Sequence, residues 1–372
     1  MKLRILALVV DAIGGAGGIS QYNRDLVSAW SESDAVEEIV VLARFAAPSS
    51  RPAPAKVVER RPANSASLYA MRAVLQSMQS PRVDLIFCGH LHMMPAAMIA
   101  SKLSGAPVWL QLHGLEAWQP RTGFIRWCVE NAALVTAVSR YTRRLFLRWA
   151  NTDADNVLVL PNTVGDGFSF DEDRSHAKNT FGLSEKRVLL TVSRLAKSEG
   201  YKGHEQIINC LPELLGQFDR LVYVIAGDGD LRSELEQLVR HKGLGDFVIF
   251  AGPVERKVLP TLYRAADVFV MPSTGEGFGI VYLEALACGI PVIAGDSDGA
   301  RDPLHDGEFG VLVNEKNLVT EIRRLLTESS DGESADAKGR EIWTAARGHF
   351  GKEVFRQLVN EATSRFQSRT AQ

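Results

Sequence analysis

The chain has 372 residues, 46% hydrophobic and 23% charged, with a formal net charge of −2. That is the length of two domains and the make-up of a globular protein rather than a disordered, collagenous or membrane-spanning one. Its four cysteines (Cys88, Cys128, Cys210, Cys288) are scattered without a C-x-x-C pair, which indicates neither a disulfide framework nor a thiolate zinc site and fits a reducing, cytoplasmic compartment.

Charge is uneven along the chain. Residues 1–165 carry 17 Lys+Arg against 12 Asp+Glu, and the remainder carries 25 against 32, so +5 and −7 sum to −2. The basic half fits an anionic surface or substrate there, or is an incidental excess.

The opening run MKLRILALVV is too short for a leader's apolar core and meets Asp11 without a small-residue cleavage site, so it reads as a buried strand over 3–10. A helix begins at QYNRDLVSAW, and EIVVLAR (38–44) is a second strand. A Pro/Ser/Arg-rich loop follows, then the helical SLYAMRAVLQSM and strands over 84–90, 108–114, 134–139 and 156–162. Apolar strands alternating with helices predict a parallel sheet covered on both faces. The polar, Gly-containing stretch TVGDGFSFDEDRSHAKNTFGLSEK reads as a linker, after which strands over 187–195, 221–229, 247–252, 268–273, 291–296 and 310–313 restart the pattern. The charged tail from about residue 320 reads as helical. The fold class is therefore α/β, with two Rossmann-like, doubly wound parallel-sheet domains facing a cleft. The boundaries fall at 1–165 and 166–349, with a last helix (about 350–372) packing back on the first domain.

Ligands of such sheets bind at the carboxyl ends of the strands, so the strand-to-helix turns hold the candidate chemistry. Gly15-Ala16-Gly17-Gly18-Ile19-Ser20 after the first strand approximates a dinucleotide fingerprint, and Arg44 would suit a 2′-phosphate. The same glycines would admit another anionic or bulky ligand, or form a turn with no ligand. His113 ends a buried strand, where an imidazole is either structural or functional. Arg194 and Lys202 in SRLAKSEGYKGHEQII would clamp a pyrophosphate or be ordinary loop charges; Lys197 reads as surface charge. In GEGFGIVYLEALACGIPVIA, Gly277 and Gly279 bare backbone N–H groups at a helix start, while Glu276 and Glu284 place two carboxylates in an apolar segment. A bare buried carboxylate costs several kcal/mol. A polyol diphosphate would satisfy both, and an arginine partner in the core would equally satisfy Glu284.

Taken in order, these segments resemble retaining glycosyltransferases of the GT-B fold, specifically glycosyltransferase family 4, over nearly the whole chain. The family's E-x7-E appears as Glu276 and Glu284, its Arg…Lys-Gly segment as Arg194 to Gly203, and its A-G-x-G turn within VIAGDGDLRSELE. The resemblance implies that Arg194 and Lys202 bind the donor diphosphate, and that Glu276 contacts the transferred sugar. Gly277, Phe278 and Gly279 would supply backbone contacts, Glu284 would bind the ribose and Val254 would sit near the base. Gly17 and Gly18 would face the diphosphate and acceptor, and His113 would contact the donor sugar. It implies a nucleotide-sugar donor (GDP-mannose, UDP-glucose or UDP-N-acetylglucosamine), a glycan or lipid-linked acceptor, no cofactor, no divalent metal and no nucleic-acid partner. Two departures stand out: the insertion SEGY between Arg194 and Lys202, and Asp302 where the family commonly has Glu. The segment YTRRLFLRWA (141–150) fits either peripheral contact with anionic lipid or a helix packed on the sheet. The rival readings are an NADP-dependent oxidoreductase, which leaves Glu276, Glu284, Arg194 and Lys202 idle, and a non-catalytic sugar-nucleotide-binding module.

Overall fold

The computed structural model describes residues 2–11, 15, 17–45, 53–79, 81–165, 167–329 and 332–370. Two units emerge, Met1–Thr163 with Glu353–Gln372, and Val164–Lys352. The first holds seven strands, β1 (Leu3–Asp11), β2 (Val36–Phe45), β3 (Val57–Arg60), β4 (Leu85–Cys88), β5 (Val108–Leu112), β6 (Leu134–Ala137) and β7 (Val157–Val159), ordered β3-β2-β1-β4-β5-β6-β7. The second holds β8 (Arg187–Val192), β9 (Leu221–Ala226), β10 (Val248–Gly252), β11 (Val268–Met271), β12 (Val292–Gly295) and β13 (Val311–Val313), ordered β10-β9-β8-β11-β12-β13. Every ladder is parallel; Ile5, for example, faces Ile39 on one side and Leu85 on the other. The central strands are buried along most of their length, which explains their nearly unbroken apolar sequences.

All twelve expected strands are present, and β3 is an addition, lying beyond the loop that the Pro/Ser/Arg-rich composition suggested. It pairs Val57 with Ile39 and Arg60 with Leu42 at the sheet edge, with Val58, Glu59 and Arg60 exposed. An edge strand in water has no apolar run to betray it. The stretch read as a linker is also more than one. Asp173 caps the helix Arg174–Thr180 by accepting from His176 N, and Phe170 is buried under the guanidinium groups of Arg264 and Arg340.

In segment 141–150 Phe146 and Trp149 are buried, and Arg143 donates to the carbonyls of Val157 (2.6 Å) and Ala154 (2.8 Å), as a helix packed on the sheet requires, while Arg144 and Arg148 are exposed. Of the helical tail, Gly332–Phe350 stays within the second unit. The helix Lys352–Thr370 packs in the first, where Trp30 Nε1 donates to Thr363 Oγ1 (3.0 Å) and Phe366 stacks on Trp109.

Candidate functional site

In each sheet the first strand has neighbours reached in opposite directions: β1 lies between β2 and β4, and β8 between β9 and β11. The loops leaving such a strand pair diverge and open a crevice at the carboxyl end. The candidate residues sort onto these two switch points. Arg194 and Lys202 follow β8 and Glu276 to Gly279 follow β11 in the second unit. Gly17 and Gly18 follow β1 in the first, where His113 follows β5.

The turn after β8 is locked from beneath. Ser193 Oγ meets His204 Nε2 (2.9 Å), and His204 Nδ1 meets the Tyr223 hydroxyl (3.2 Å). Burial, helped by Lys202, pushes the His204 pKa down to about 4, so the ring is neutral at physiological pH. Lys202 ends a short 3-10 turn, and Gly203 after it has φ 80°, with Pro272 packed where a Cβ would stand. Only glycine suits both conditions. The backbone thus brings Lys202 beside the loop that follows β11.

A chain of alternating charges results. Lys202 Nζ lies 3.1 Å from Glu276 Oε1 and 3.4 Å from Glu199 Oε2, and the other Glu199 oxygen accepts from Arg194 Nη2. Lys202, Glu199 and Glu276 are largely buried, whereas the Arg194 side chain is 79% exposed. Glu199 and Tyr201 both belong to the insertion SEGY. Tyr201 O accepts from Thr274 N (3.0 Å), and its ring covers Gly275, so the insertion is built into the site.

The Glu276 loop is held by Asp298. Its buried carboxylate accepts from Glu276 N (2.6 Å) and from Ala300 N (2.9 Å). Burial raises the Asp298 pKa to about 7, against the pull of those two N–H donors. Gly279, at φ 85°, turns the chain into the helix Ile280–Ala287, and Tyr282 fills the space a Cβ would need. Gly277 lies on the same loop, while the Phe278 ring is buried edge-to-face against Phe350, leaving its backbone to serve the loop. Glu284 is buried in that helix and has protein partners, Arg256 Nη1 (3.1 Å) and the Tyr263 hydroxyl (3.0 Å). Arg256 is itself nearly half exposed and stacks over Phe168. Val254 lies two residues before it, part-buried after β10.

In the first unit Gly17 caps the helix Gly18–Glu32 with φ 96°. Gly15 O accepts from Arg24 Nη1 (2.6 Å), and Asp11 accepts from Ser20 Oγ (2.6 Å); Ala16 lies outside the described residues. Arg44 stacks over Phe45. His113 Nε2 lies 2.9 Å from Gly89 O, His113 N donates to Glu116 Oε1 (2.6 Å), and the Tyr22 ring meets the imidazole edge-on. A carbonyl only accepts, so Nε2 carries a proton. Burial lowers the His113 pKa, which leaves Nδ1 as an acceptor in the neutral ring. His90 stacks beside it and is held neutral, with its pKa pushed down to about 4 by burial.

Glu199, Asp298, Arg256, Tyr201 and His90 were not singled out from the sequence. The family-like spacing around Arg194 and Glu276 was the available signal for their neighbourhood, and it did not reach the residues that brace those side chains. Among the described residues, no three His, Cys, Asp or Glu side chains converge as metal ligands would.

Comparison with known proteins shows the family and the fold. The family model described as Glycosyltransferase Family 4 matches residues 16–166, and that described as Glycosyl transferases group 1 matches residues 172–342. A GDP-mannose-dependent alpha-(1-6)-phosphatidylinositol monomannoside mannosyltransferase of Mycobacterium tuberculosis is 31% identical over 269 residues, 68% of this chain and 69% of that protein. The Mycolicibacterium smegmatis protein of the same name is 33% identical over 221 residues, 56% of this chain, and the match spans only 57% of that relative. Anabaena HepE, solved with UDP and glucose, superposes with a TM-score of 0.77 at 22% identity, covering 97% of this chain and 99% of its own. At that identity the likeness establishes the fold, two parallel-sheet Rossmann-like domains of the GT-B type.

Proposed function

The chain belongs to glycosyltransferase family 4, and on that premise we propose that it moves a sugar from a nucleoside-diphosphate sugar to a hydroxyl of a glycan or lipid-linked acceptor. Transfer retains the anomeric configuration and needs no divalent metal; the setting is polysaccharide, lipopolysaccharide or glycolipid synthesis. The observation that carries this reading is the Arg194–Glu199–Lys202–Glu276 network at the β8/β11 switch point. Two cations for a diphosphate stand beside a carboxylate for sugar hydroxyls.

The roles follow from the chemistry. As the bond from the anomeric carbon to the diphosphate oxygen lengthens, negative charge grows on the diphosphate. Arg194 and Lys202 stabilise that charge more than they stabilise the ground state, which is what lowers the barrier. Glu276 accepts from sugar hydroxyls, and Gly277, Phe278 and Gly279 offer backbone groups at the helix start. The new bond forms from the acceptor oxygen to the anomeric carbon on the same face, and the acceptor proton passes to the departing diphosphate. Glu284 takes the ribose hydroxyls, with Val254 near the base. Gly17, Gly18 and neutral His113 keep the roles that the family resemblance gives them. The mycobacterial relatives' names favour GDP-mannose as donor, with UDP-glucose and UDP-N-acetylglucosamine as alternatives.

Glu276→Ala tests the assignment. Nucleoside-diphosphate release from the donor should fall roughly 100-fold or more, while UDP or GDP still binds. Undiminished turnover in that variant would remove Glu276 from the site, and loss of wild-type turnover in EDTA would refute the metal-free part.

A further inference from the structure

Three neighbouring helices on the first unit carry apolar residues on both of their faces. Inward, Ala73, Ala97, Ala100 and Val129 are fully buried against the sheet. Outward, the helix Ala66–Ser77 and its C-cap present Met71, Leu75 and Met78 to solvent at a spacing of four and then three residues, one stripe. The helix Met94–Ser104 presents Ile99 and Leu103, and the helix Gly123–Glu130 presents Phe124 and Trp127, whose rings stack at 5.7 Å. The stripes adjoin. Ser77 Oγ donates to Ala100 O, and Lys102 Nζ stands 5.4 Å from the Trp127 ring. Met78 is 61% and Leu103 58% exposed. Single exposed apolar side chains need no explanation, but a contiguous set on three helices marks an interaction surface.

The charge of this surface is mainly positive. From residue 60 to 129 the only acidic residues are Asp84 and Glu116. Both are turned to backbone donors, Asp84 to Arg4 N (2.9 Å) and Glu116 to His113 N (2.6 Å). Glu130 offsets Arg126 across one helical turn. Arg72 and Arg82 donate to carbonyls, of Arg61 and Pro62 and of Ser104 respectively, so they are held in place with their charge uncancelled. Lys102 lies between the stripes.

We propose that this face docks on an anionic lipid bilayer. The apolar stripes enter the boundary between headgroups and acyl chains, and Arg72, Arg82 and Lys102 meet the phosphates. The charge pattern chooses this occupant over a second copy of the chain, because two such faces would bring cations together with only Glu130, already paired with Arg126, to separate them. The proposal concerns the first unit's outer surface and stands apart from the donor-site reading.

Cosedimentation of the full chain with vesicles tests it. The protein should partition onto phosphatidylcholine vesicles containing about a quarter phosphatidylglycerol and not onto phosphatidylcholine alone, and binding should weaken several-fold from about 0.1 M to about 0.5 M salt. Brominated lipid should quench tryptophan fluorescence in the wild type and much less in Trp127→Phe. The double variant Leu75→Ser/Leu103→Ser should keep its melting temperature and its nucleoside-diphosphate binding, and lose vesicle affinity at least tenfold. Failure of the wild type to bind anionic vesicles would overturn the proposal, as would equal binding by the double variant. So would a concentration-dependent dimer that the same substitutions abolish.

Discussion

Arg194 and Lys202 each hold a carboxylate already, because Glu199 bridges them from the SEGY insertion, so an arriving diphosphate competes with Glu199 for two paired cations. Arg194 is exposed, and such a pair is worth only about 0.2–1 kcal/mol, which a diphosphate readily exceeds. Asp298 works one step back, as a positioning residue for the Glu276 loop. Its two oxygens each accept a backbone N–H, and a protonated carboxyl would turn an O–H toward one of those donors. Since its pKa is raised to about 7, turnover should fall as pH drops through about 7, and Asp298→Asn should sit near the low plateau throughout, roughly tenfold down. Stability runs the other way. The folded state keeps a proton that the unfolded carboxyl releases near 3.8, so this group's contribution declines as pH rises from about 4 to about 7. A pH–rate profile and pH-dependent melts of both proteins check the two signs; a profile flat across pH 6–8 in the wild type would contradict the role. Neither residue was legible in the sequence. Glu199 lay inside an insertion that matched no motif, and Asp298 meets Glu276 only after the chain has passed through a helix and β12.

At the scale of elements, buried strands announced themselves and exposed ones did not. β1, β4, β5, β6, β9 and β11 are buried along most of their length and mainly apolar, and their sequences say so; β3, exposed at three of its four residues, reads as loop. The helix Arg174–Thr180 was hidden by polar composition, its capping Asp173 being one acid among several. The last helix is held by few but large contacts, with Phe355 edge-on to Tyr22, Phe366 stacked on Trp109 and Trp30 bonded to Thr363. Phe366 is almost fully buried, so Phe366→Ala should cost about 3–5 kcal/mol, read as an earlier unfolding transition of the first unit. A shift within error of the wild-type melt would mean that this helix is not part of that unit's cooperative core.

For the whole molecule, the succession Arg194, Lys202-Gly203, Gly277 and Glu276 with Glu284 carried the family and fold in the sequence itself, because ligand chemistry fixes residue types at fixed distances from strand ends. Donor base, sugar and acceptor were not legible for the converse reason, since they depend on side chains and surfaces that no short motif specifies. Part of the basic excess of residues 1–165 lies on the acid-poor face of three helices, away from segment 141–150, for which lipid contact was one of two sequence readings. In the proposed function the second unit grips a nucleoside diphosphate through Arg194 and Lys202. Calorimetric titration of UDP and GDP, with and without magnesium, into the wild type, Lys202→Ala and Glu199→Gln tests it most directly. The wild type should bind at least one nucleotide regardless of metal, Lys202→Ala should bind it roughly tenfold or more weakly, and Glu199→Gln, where the competing carboxylate is gone, should bind it several-fold more tightly. Equal affinities in all three proteins, or no binding of either nucleotide, would contradict it.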